Sequence, residues 1–349
     1  MNDVMNPKEY VLDLNRRRSE AFCAPRAQDE LRLYRKHHPT NILVFKCMDG
    51  RINLPVIANL PEGVLQPFRN IGGKFDLGSP LLNDLVLKSK QQAVREGNRM
   101  LALCTYHFSK GDEHRGCAGH NHDTAAAIAG AKTLKRQFEM MFGEDNPVVS
   151  AIVVGIETDE DALIFHNGGD ERLSISEQVD ATDEEIEGQL FSLYGRMHPE
   201  MLSDLLPIAL GNRDHVRNIR SQKRPIAELV HGENIIAVGR GFGWLHVPNK
   251  ALIIGPYDYD WGDAVRVAGK IVSANIAEGR APKEDGALLL VLTPFWELDE
   301  RDAVAEKSRY IARVSKQVLN EAFPDLKLDI LVGVTDMRTR LIHEVPFSS

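Results

Sequence analysis

Five residues concentrate the reactive chemistry of this chain: Cys47-Met-Asp-Gly-Arg51 packs a thiol, a carboxylate and a guanidinium into one short segment. It closes an apolar run, Asn41-Ile-Leu-Val-Phe-Lys, so the three groups stand at the C-terminal end of an expected strand. A second apolar run, 100–107, is followed by a histidine-rich segment that ends in Cys117. Thiolates from Cys47 and Cys117 with one intervening imidazole make three ligands, the number a catalytic zinc site uses while leaving a fourth position for water. Two thiolates offset the charge of the metal, so water there is less acidified than at an all-histidine site, and another group must manage its proton. Asp49 is spaced to accept that hydrogen bond, and Arg51 to keep Asp49 ionised and oriented.

Other candidates carry less chemistry. Cys104 lies on the strand face opposite His107 and reads as a buried thiol. Cys23 sits beside a proline and has no partner within reach of spacing. His120 and His122 lie in a loop that leads into a helix capped by Asp123 or Thr124, where a histidine can also shuttle protons. Ile52, Leu54, Phe68 and Phe75 fit either a small pocket for an uncharged substrate or ordinary core.

The elements that must position these groups follow from the pattern. Residues 8–38 read as helix, interrupted at Cys23-Ala-Pro-Arg. Strands are expected at 41–47, 100–107 and 148–156, with a short strand before Phe68-Arg-Asn-Ile-Gly-Gly73 and helices at 80–97 and 123–142. Short apolar runs separated by helices indicate an α/β fold, a mainly parallel sheet flanked by helices. Ligands gather beyond the C-terminal strand ends of such sheets, where Cys47 and His107 both fall.

The second half repeats the first. Residues 41–55 lie on residues 234–248 without a gap, Leu101 to Phe108 on Leu288 to Phe295, and Val154-Gly-Ile156 with Leu163-Ile164 on Val332-Gly-Val334 with Leu341-Ile342. Cys47 then becomes Arg240, Asp49 Phe242, Arg51 Trp244 and His107 Pro294, so the second copy keeps the scaffold without the site. The expected organisation is a helical arm (1–40), a zinc-binding catalytic domain (41–176), a helical connector (177–232) and a degenerate copy (233–349), carrying one zinc per chain.

Composition excludes several classes. A net charge of −8 over 349 residues and a pI near 5.9, with no basic stripe, argue against nucleic-acid binding. No run reaches the ~18 apolar residues of a membrane span, and the N-terminus lacks the pattern of a signal peptide. Four cysteines are too few for a disulfide framework and suit thiols in a reducing, cytoplasmic setting.

Cys47, Asp49 and Arg51 resemble, position by position, the Cys-x-Asp-x-Arg signature of the β-class carbonic anhydrases. Arg69-Asn70 followed by Gly72-Gly73 resembles the Arg-Asn element of that family. The resemblance covers about residues 8–165. It implies a zinc lyase interconverting carbon dioxide and bicarbonate through zinc-bound hydroxide, with Asp49 taking the hydrogen bond of the hydroxide. It also implies a zinc-binding histidine at the end of the next strand and a cysteine soon after. His114-Arg-Gly-Cys117 satisfies the usual His-x-x-Cys spacing, whereas His107 is the residue at the strand end and leaves residues 108–116 as an insertion. His107 is favoured, with His114 the alternative. The carboxysomal branch is similar in its longer spacing, its duplicated fold and its second copy without a site.

That branch makes carboxysome shell association a further expectation. The β class forms its site at a subunit interface, so a duplicated chain is expected to act as a pseudo-dimer, itself within a homo-oligomer. Carbonyl sulfide or carbon disulfide hydrolysis on the same site, and a non-catalytic zinc-stabilised shell module, are the competing readings. Asp49 and Arg51 have no purpose in a purely structural site, which normally closes with four protein ligands.

Overall fold

Short apolar runs alternating with amphipathic helices give, in the computed structural model, two mostly parallel sheets flanked by helices. Residues 6–347 are described, apart from 113–114, 170, 223–230, 248 and 259. The chain divides into two units. The first comprises Asp29–Cys47 and Ile52–Leu229, and the second Met1–Gln28, Met48–Arg51 and Val230–Ser349.

In chain order, helices α1 (Pro7–Cys23) and α2 (Pro25–His37) precede β1 (Asn41–Cys47), the one-turn α3 (Leu54–Ile57) and β2 (Leu65–Asn70). Then come α4 (Pro80–Arg95), β3 (Met100–Phe108), α5 (Thr124–Phe142), β4 (Val149–Glu157), β5 (Ala162–His166) and β6 (Arg172–Ser174). Helices α6 (Asp183–Tyr194) and α7 (Pro199–Gln222) follow. The second sheet is built from β7 (Ile235–Gly239), β8 (Ala251–Ile254), β9 (Ala287–Phe295), β10 (Leu328–Asp336) and β11 (Ile342–Glu344), with α8 (Trp261–Ala277) and α9 (Arg301–Ala322) between its strands. Helix starts carry their own chemistry: Asn6 caps α1 ahead of Pro7, Asp123 caps α5, and Thr182 with Glu185 forms a capping box on α6. Among the described residues no helix is long and apolar enough to cross a membrane.

The first sheet runs β2-β1-β3-β4-β5-β6. β1, β2, β3 and β4 are parallel, and β5 and β6 return antiparallel. β1 is buried from residue 42 to 47, which is why it reads as a continuous apolar run. The chain leaves β1 for β2 on one side and reaches β3 on the other, so the sheet has its topological switch point between β1 and β3. Pairing of β1 with β3 ends at Phe45 opposite Cys104, two residues short of Cys47. The 3-10 turn Ile71–Gly73 enters there. Gly73 adopts φ +64°, and a Cβ at this position would lie 3.1 Å from the Thr105 carbonyl oxygen and 3.5 Å from the Cys47 nitrogen. Only glycine can wedge the two strand ends apart in this way.

The second sheet runs β11-β10-β9-β7-β8, with β8, β7, β9 and β10 parallel and β11 antiparallel. Its five strands repeat β2-β1-β3-β4-β5 of the first sheet in order, and β6 has no counterpart strand in it among the described residues. Ile235 pairs with Leu288 just as Ile42 pairs with Leu101, as the sequence comparison requires. The third matched segment needs a correction of one residue. Val154 lies opposite Thr105, and Gly333 lies opposite Leu292, the counterpart of Thr105; Val154 therefore corresponds to Gly333 rather than Val332. The partner strand shifts with it, since Leu163 pairs with Ile156 and Ile342 with Thr335. The two glycines that suggested the other alignment serve different neighbours. Gly155 makes room for Tyr106, whose hydroxyl oxygen would be 2.5 Å from an added Cβ, whereas Gly333 makes room for Ile342 and the His343 carbonyl.

Helix α1 packs in the second unit, where Val11 and Leu14 join a core of Ile235, Trp244, Leu288 and Leu290. Its buried Asn15 donates Nδ2–H to the Arg340 carbonyl (2.8 Å) and accepts the Ile342 N–H on Oδ1 (2.8 Å). The first sheet continues beyond β5 into β6; at the corresponding place β11 has this side-chain amide instead.

Candidate metal centre

Three of the residues singled out by spacing come together in the first unit. One donor atom each from Cys47, His107 and Cys117 lies within 4.8 Å of the others, and all three residues are buried. The Cys47 and Cys117 sulfurs are 3.7 Å apart. His107 is 2% exposed, and both its ring nitrogens are buried without a hydrogen-bond partner among the described residues. An imidazole normally satisfies at least one nitrogen when buried, so two orphaned nitrogens beside two thiols mark a ring waiting for an electrophile. Two sulfurs and one imidazole suit zinc, a borderline-soft ion for which three protein ligands leave a position for water. This is the one such group among the described residues, and it lies in the first copy. His114, the alternative ligand, falls outside the described residues.

Local structure explains the convergence. Cys47 ends β1 at the switch point, His107 is the penultimate residue of β3, and Cys117 caps the 3-10 turn Ala118–His120. The Cys117 carbonyl accepts N–H bonds from both His120 and His122 (3.0 Å each). Asn70 caps the turn after β2, accepting the Ile71 N–H and donating to the Lys74 carbonyl. Gly119 approaches Gly72 so closely that an added Cβ would be 2.5 Å from the Gly72 nitrogen.

Asp49 and Arg51 belong to the second unit, in the short stretch Met48–Arg51. That stretch adds to the free edge of β8: Met48 accepts from the Ile253 N–H (2.7 Å), Gly50 donates to the Ala251 carbonyl (3.0 Å), and Asp49 bridges Leu252 antiparallel. Asp49 Oδ1 accepts from the Arg51 backbone N–H (2.9 Å), Oδ2 accepts from Nη2 (2.7 Å), and Nε–H points between the two oxygens (3.2 and 3.1 Å). Both residues are 5% exposed. A forked, buried pair of this kind keeps a carboxylate charged and fixes its plane. In the second copy the corresponding Phe242 and Trp244 are buried in the hydrophobic core, and Arg240 and Pro294 replace the ligands.

The remaining candidates find ordinary places. Cys104 is fully buried, which pushes its thiol well up, and it is not part of the metal-binding group. Phe68 and Phe75 pack on Phe45, stacked at 4.8 Å and edge-on at 5.2 Å, with Phe138 completing the cluster. Ile52 and Leu54 are likewise buried, at 2% and 0% exposure. The His120 Nε2 bonds to the Gly72 carbonyl (2.9 Å), and burial holds this imidazole below its usual range. The His122 Nδ1 faces the Gly116 carbonyl (3.2 Å). Lys46 was not among the candidates, although a lysine inside an apolar strand was the signal for it. It is buried, and its Nζ donates to the Ile52 carbonyl (2.9 Å), which also accepts from Arg69 Nη2 (3.1 Å). Burial, with Arg69 adding to it, drives the Lys46 ammonium well below its usual value.

Residues 34–190 match the family model described as Carboxysome Shell Carbonic Anhydrase, catalytic domain. A carboxysome shell carbonic anhydrase of Prochlorococcus marinus (strain MIT 9313) is 25% identical over 239 residues, covering 59% of this chain and 46% of that protein. The carboxysome shell carbonic anhydrase of Halothiobacillus neapolitanus (strain ATCC 23641 / c2) is 26% identical over 249 residues, covering 59% of this chain and 48% of that protein. The chain thus spans about half the length of the curated relatives it matches. Over residues 34–190, which hold Cys47, His107 and Cys117, the chain is similar to the carboxysomal branch of the β-class carbonic anhydrases.

Proposed function

We propose that the chain is a zinc-dependent carbonic anhydrase that interconverts carbon dioxide and bicarbonate at a single site. The observation that carries the reading is His107, buried with two orphaned nitrogens beside the sulfurs of Cys47 and Cys117. These three residues would hold the metal, one ion per chain. When bound, zinc would supply Lewis acidity that makes a water easier to deprotonate near neutral pH.

The chain's own groups then have distinct tasks. Asp49 follows Cys47 by two residues, so peptide geometry alone keeps their α-carbons within about 7 Å. Its carboxylate accepts the hydrogen bond of an incoming hydroxyl and turns the oxygen lone pair toward carbon. Arg51 holds Asp49 charged and oriented through Nε and Nη2, so the acceptor is set before the substrate arrives. His107, its nitrogens otherwise unsatisfied, is available as a neutral donor ligand.

The test is zinc content together with stopped-flow hydration of carbon dioxide, carbonyl sulfide and carbon disulfide. One zinc per chain and turnover of carbon dioxide are expected; Cys47→Ser should lose both. A wild-type chain without stoichiometric zinc, or one that turns over only the sulfur compounds, overturns the proposal. We extend it to shell association, supported by the names of the two relatives. Co-sedimentation with isolated shells checks that step.

A further inference from the structure

Nine residues, 108–116, separate His107 from Cys117. A segment of that length between two ligands costs conformational entropy to order, and the cost weakens metal binding unless the protein has ordered it beforehand. The first unit contains a device that does this, outside the ligand set. Asp159, just past the end of β4, accepts the Ser109 hydroxyl on its two oxygens (2.8 and 2.9 Å) and the Gly111 N–H on Oδ2 (2.7 Å). Ser109 Oγ in turn accepts the Asp112 N–H (3.1 Å). Arg115, two residues before Cys117, reaches Asp159 Oδ1 at 3.7 Å and Asp112 at 3.6 Å. One carboxylate therefore gathers both ends of the insertion.

The surroundings hold that carboxylate in place and in its charged form. Burial works against its charge, but the Gly111 N–H, the Ser109 hydroxyl, Glu157 and Arg115 outweigh it and keep Asp159 below the usual carboxylate range. Glu157, 1% exposed, accepts the N–H groups of Lys110, Asp159 and Glu160. Burial pushes the Glu157 carboxyl up. The start of the insertion is fixed as well, because the Phe108 carbonyl accepts both the N–H and the hydroxyl of Thr158. Gly111 fits only as glycine, or with movement of Asp159, since an added Cβ would lie 3.2 Å from Oδ2.

We propose that Asp159 is a positioning residue for the metal centre, fastening Ser109, Gly111 and Arg115 so that Cys117 returns to His107 and Cys47. The inference rests on the proposed zinc site. Outer groups that orient metal ligands typically contribute ten- to a hundredfold in metal affinity, and Asp159, acting through the segment that carries a ligand, falls at the lower end, at about tenfold.

Zinc affinity of the purified full-length chain, measured by competition with a chromophoric chelator, tests it for the wild type, Cys117→Ser, Asp159→Asn, Ser109→Ala and the Asp159→Asn/Ser109→Ala double variant. Thermal unfolding of each metal-free protein is followed in parallel. Asp159→Asn should weaken zinc retention about tenfold while its metal-free unfolding midpoint stays close to wild type. Ser109→Ala should shift affinity in the same direction by less, and the double variant should add little to Asp159→Asn because both changes remove one set of bonds. If Asp159→Asn does not fold, Ser109→Ala, which keeps the carboxylate, decides alone. Wild-type affinity in the folded variants overturns the inference, as does a loss seen only in metal-free stability. A wild type that binds no zinc overturns the functional reading and this inference together; zinc bound by the wild type and equally by Asp159→Asn overturns this inference alone.

Discussion

Gly50→Ala is the sharpest single perturbation of the reactive motif, because it touches neither a metal ligand nor the Asp49–Arg51 pair. A Cβ on residue 50 would stand 2.4 Å from the Ala251 carbonyl oxygen and 3.3 Å from its carbon, where real Cβ contacts do not fall under 3.0 Å. The obstacle is backbone, so no rotamer relieves it; the strands must part by about 0.6 Å merely to reach 3.0 Å, the shortest approach that real Cβ contacts show. That lengthens the Gly50 N–H bond to Ala251, now 3.0 Å, to about 3.6 Å, past the range of a hydrogen bond. Loss of one buried backbone bond costs about 1 kcal/mol, and the overpacking a further ~1–3 kcal/mol. A destabilisation of about 2–4 kcal/mol is expected by urea unfolding. Asp49 and Arg51 move with the stretch, so on the proposed function carbon dioxide hydration should fall at least tenfold while zinc, assigned to Cys47, His107 and Cys117, stays bound. Gly188→Ala is the control: an added Cβ there meets nothing within 4 Å, and the residue lies inside helix α6. It should be neutral or stabilising by up to ~1 kcal/mol. Wild-type stability and activity in Gly50→Ala would refute the argument that this edge holds the motif.

Arg51→Ala removes the Nε and Nη2 donors that hold the Asp49 oxygens, and breaking a buried pair from one side costs about 3–5 kcal/mol; hydration should collapse with zinc retained, and Arg51→Lys, lacking the fork, should rescue little. Burial first, then Lys132 and Arg172, bring the His166 imidazole down to about 4 from an ordinary 6.5, while Tyr106 lies 2.8 Å from its Nε2. Between those values the unfolded chain binds a proton that the fold refuses. This group therefore contributes stability above pH 6.5 that is lost as pH falls toward 4, at up to ~1.4 kcal/mol per pH unit. A His166→Gln variant should show a shallower decline of Tm across that window, and a decline parallel to wild type would sink the assignment. Asn15→Ala should cost about 2–3 kcal/mol in thermal unfolding, because it strips the Arg340 carbonyl and the Ile342 N–H of their partner at once; Asn15→Asp, which keeps only the acceptor, should fall between.

What could be read from the sequence was local. Cys47, Asp49 and Arg51 announced themselves by type and spacing, and the apolar runs around them placed the strand ends, because side-chain chemistry and strand periodicity are both short-range signals. The duplication was legible in its first two segments, where β1 and β7 pair with β3 and β9 in the same register. It slipped by one residue in the third, since a glycine says only that something needs room. Tyr106 needs Gly155; its counterpart Thr293 is small and faces Val334. The pairing of Met48–Arg51 with β8 joins residues two hundred positions apart, and no pattern within either segment encodes it. The bonds from Asp159 to Ser109 and Gly111 were equally silent, as an acidic residue after a strand is ordinarily a solvated turn.

The amide of Asn15 also bears on what the outer edge of the second sheet can recruit. A sheet that ends in an unpaired strand is a template for any other extended chain, and proteins guard such edges with added strands, charges or covers. The first sheet is prolonged by β6, whereas β11 is only three residues long and is met by Asn15, with Ser19 donating to the Thr339 carbonyl nearby. The guard is one helix drawn from more than three hundred residues earlier in the sequence. During synthesis it is made well before its client, so α1 waits for more than three hundred residues before it has this edge to cover. Fragments that carry the second sheet without α1 should therefore self-associate through β11, and adding back a peptide spanning α1 should suppress it.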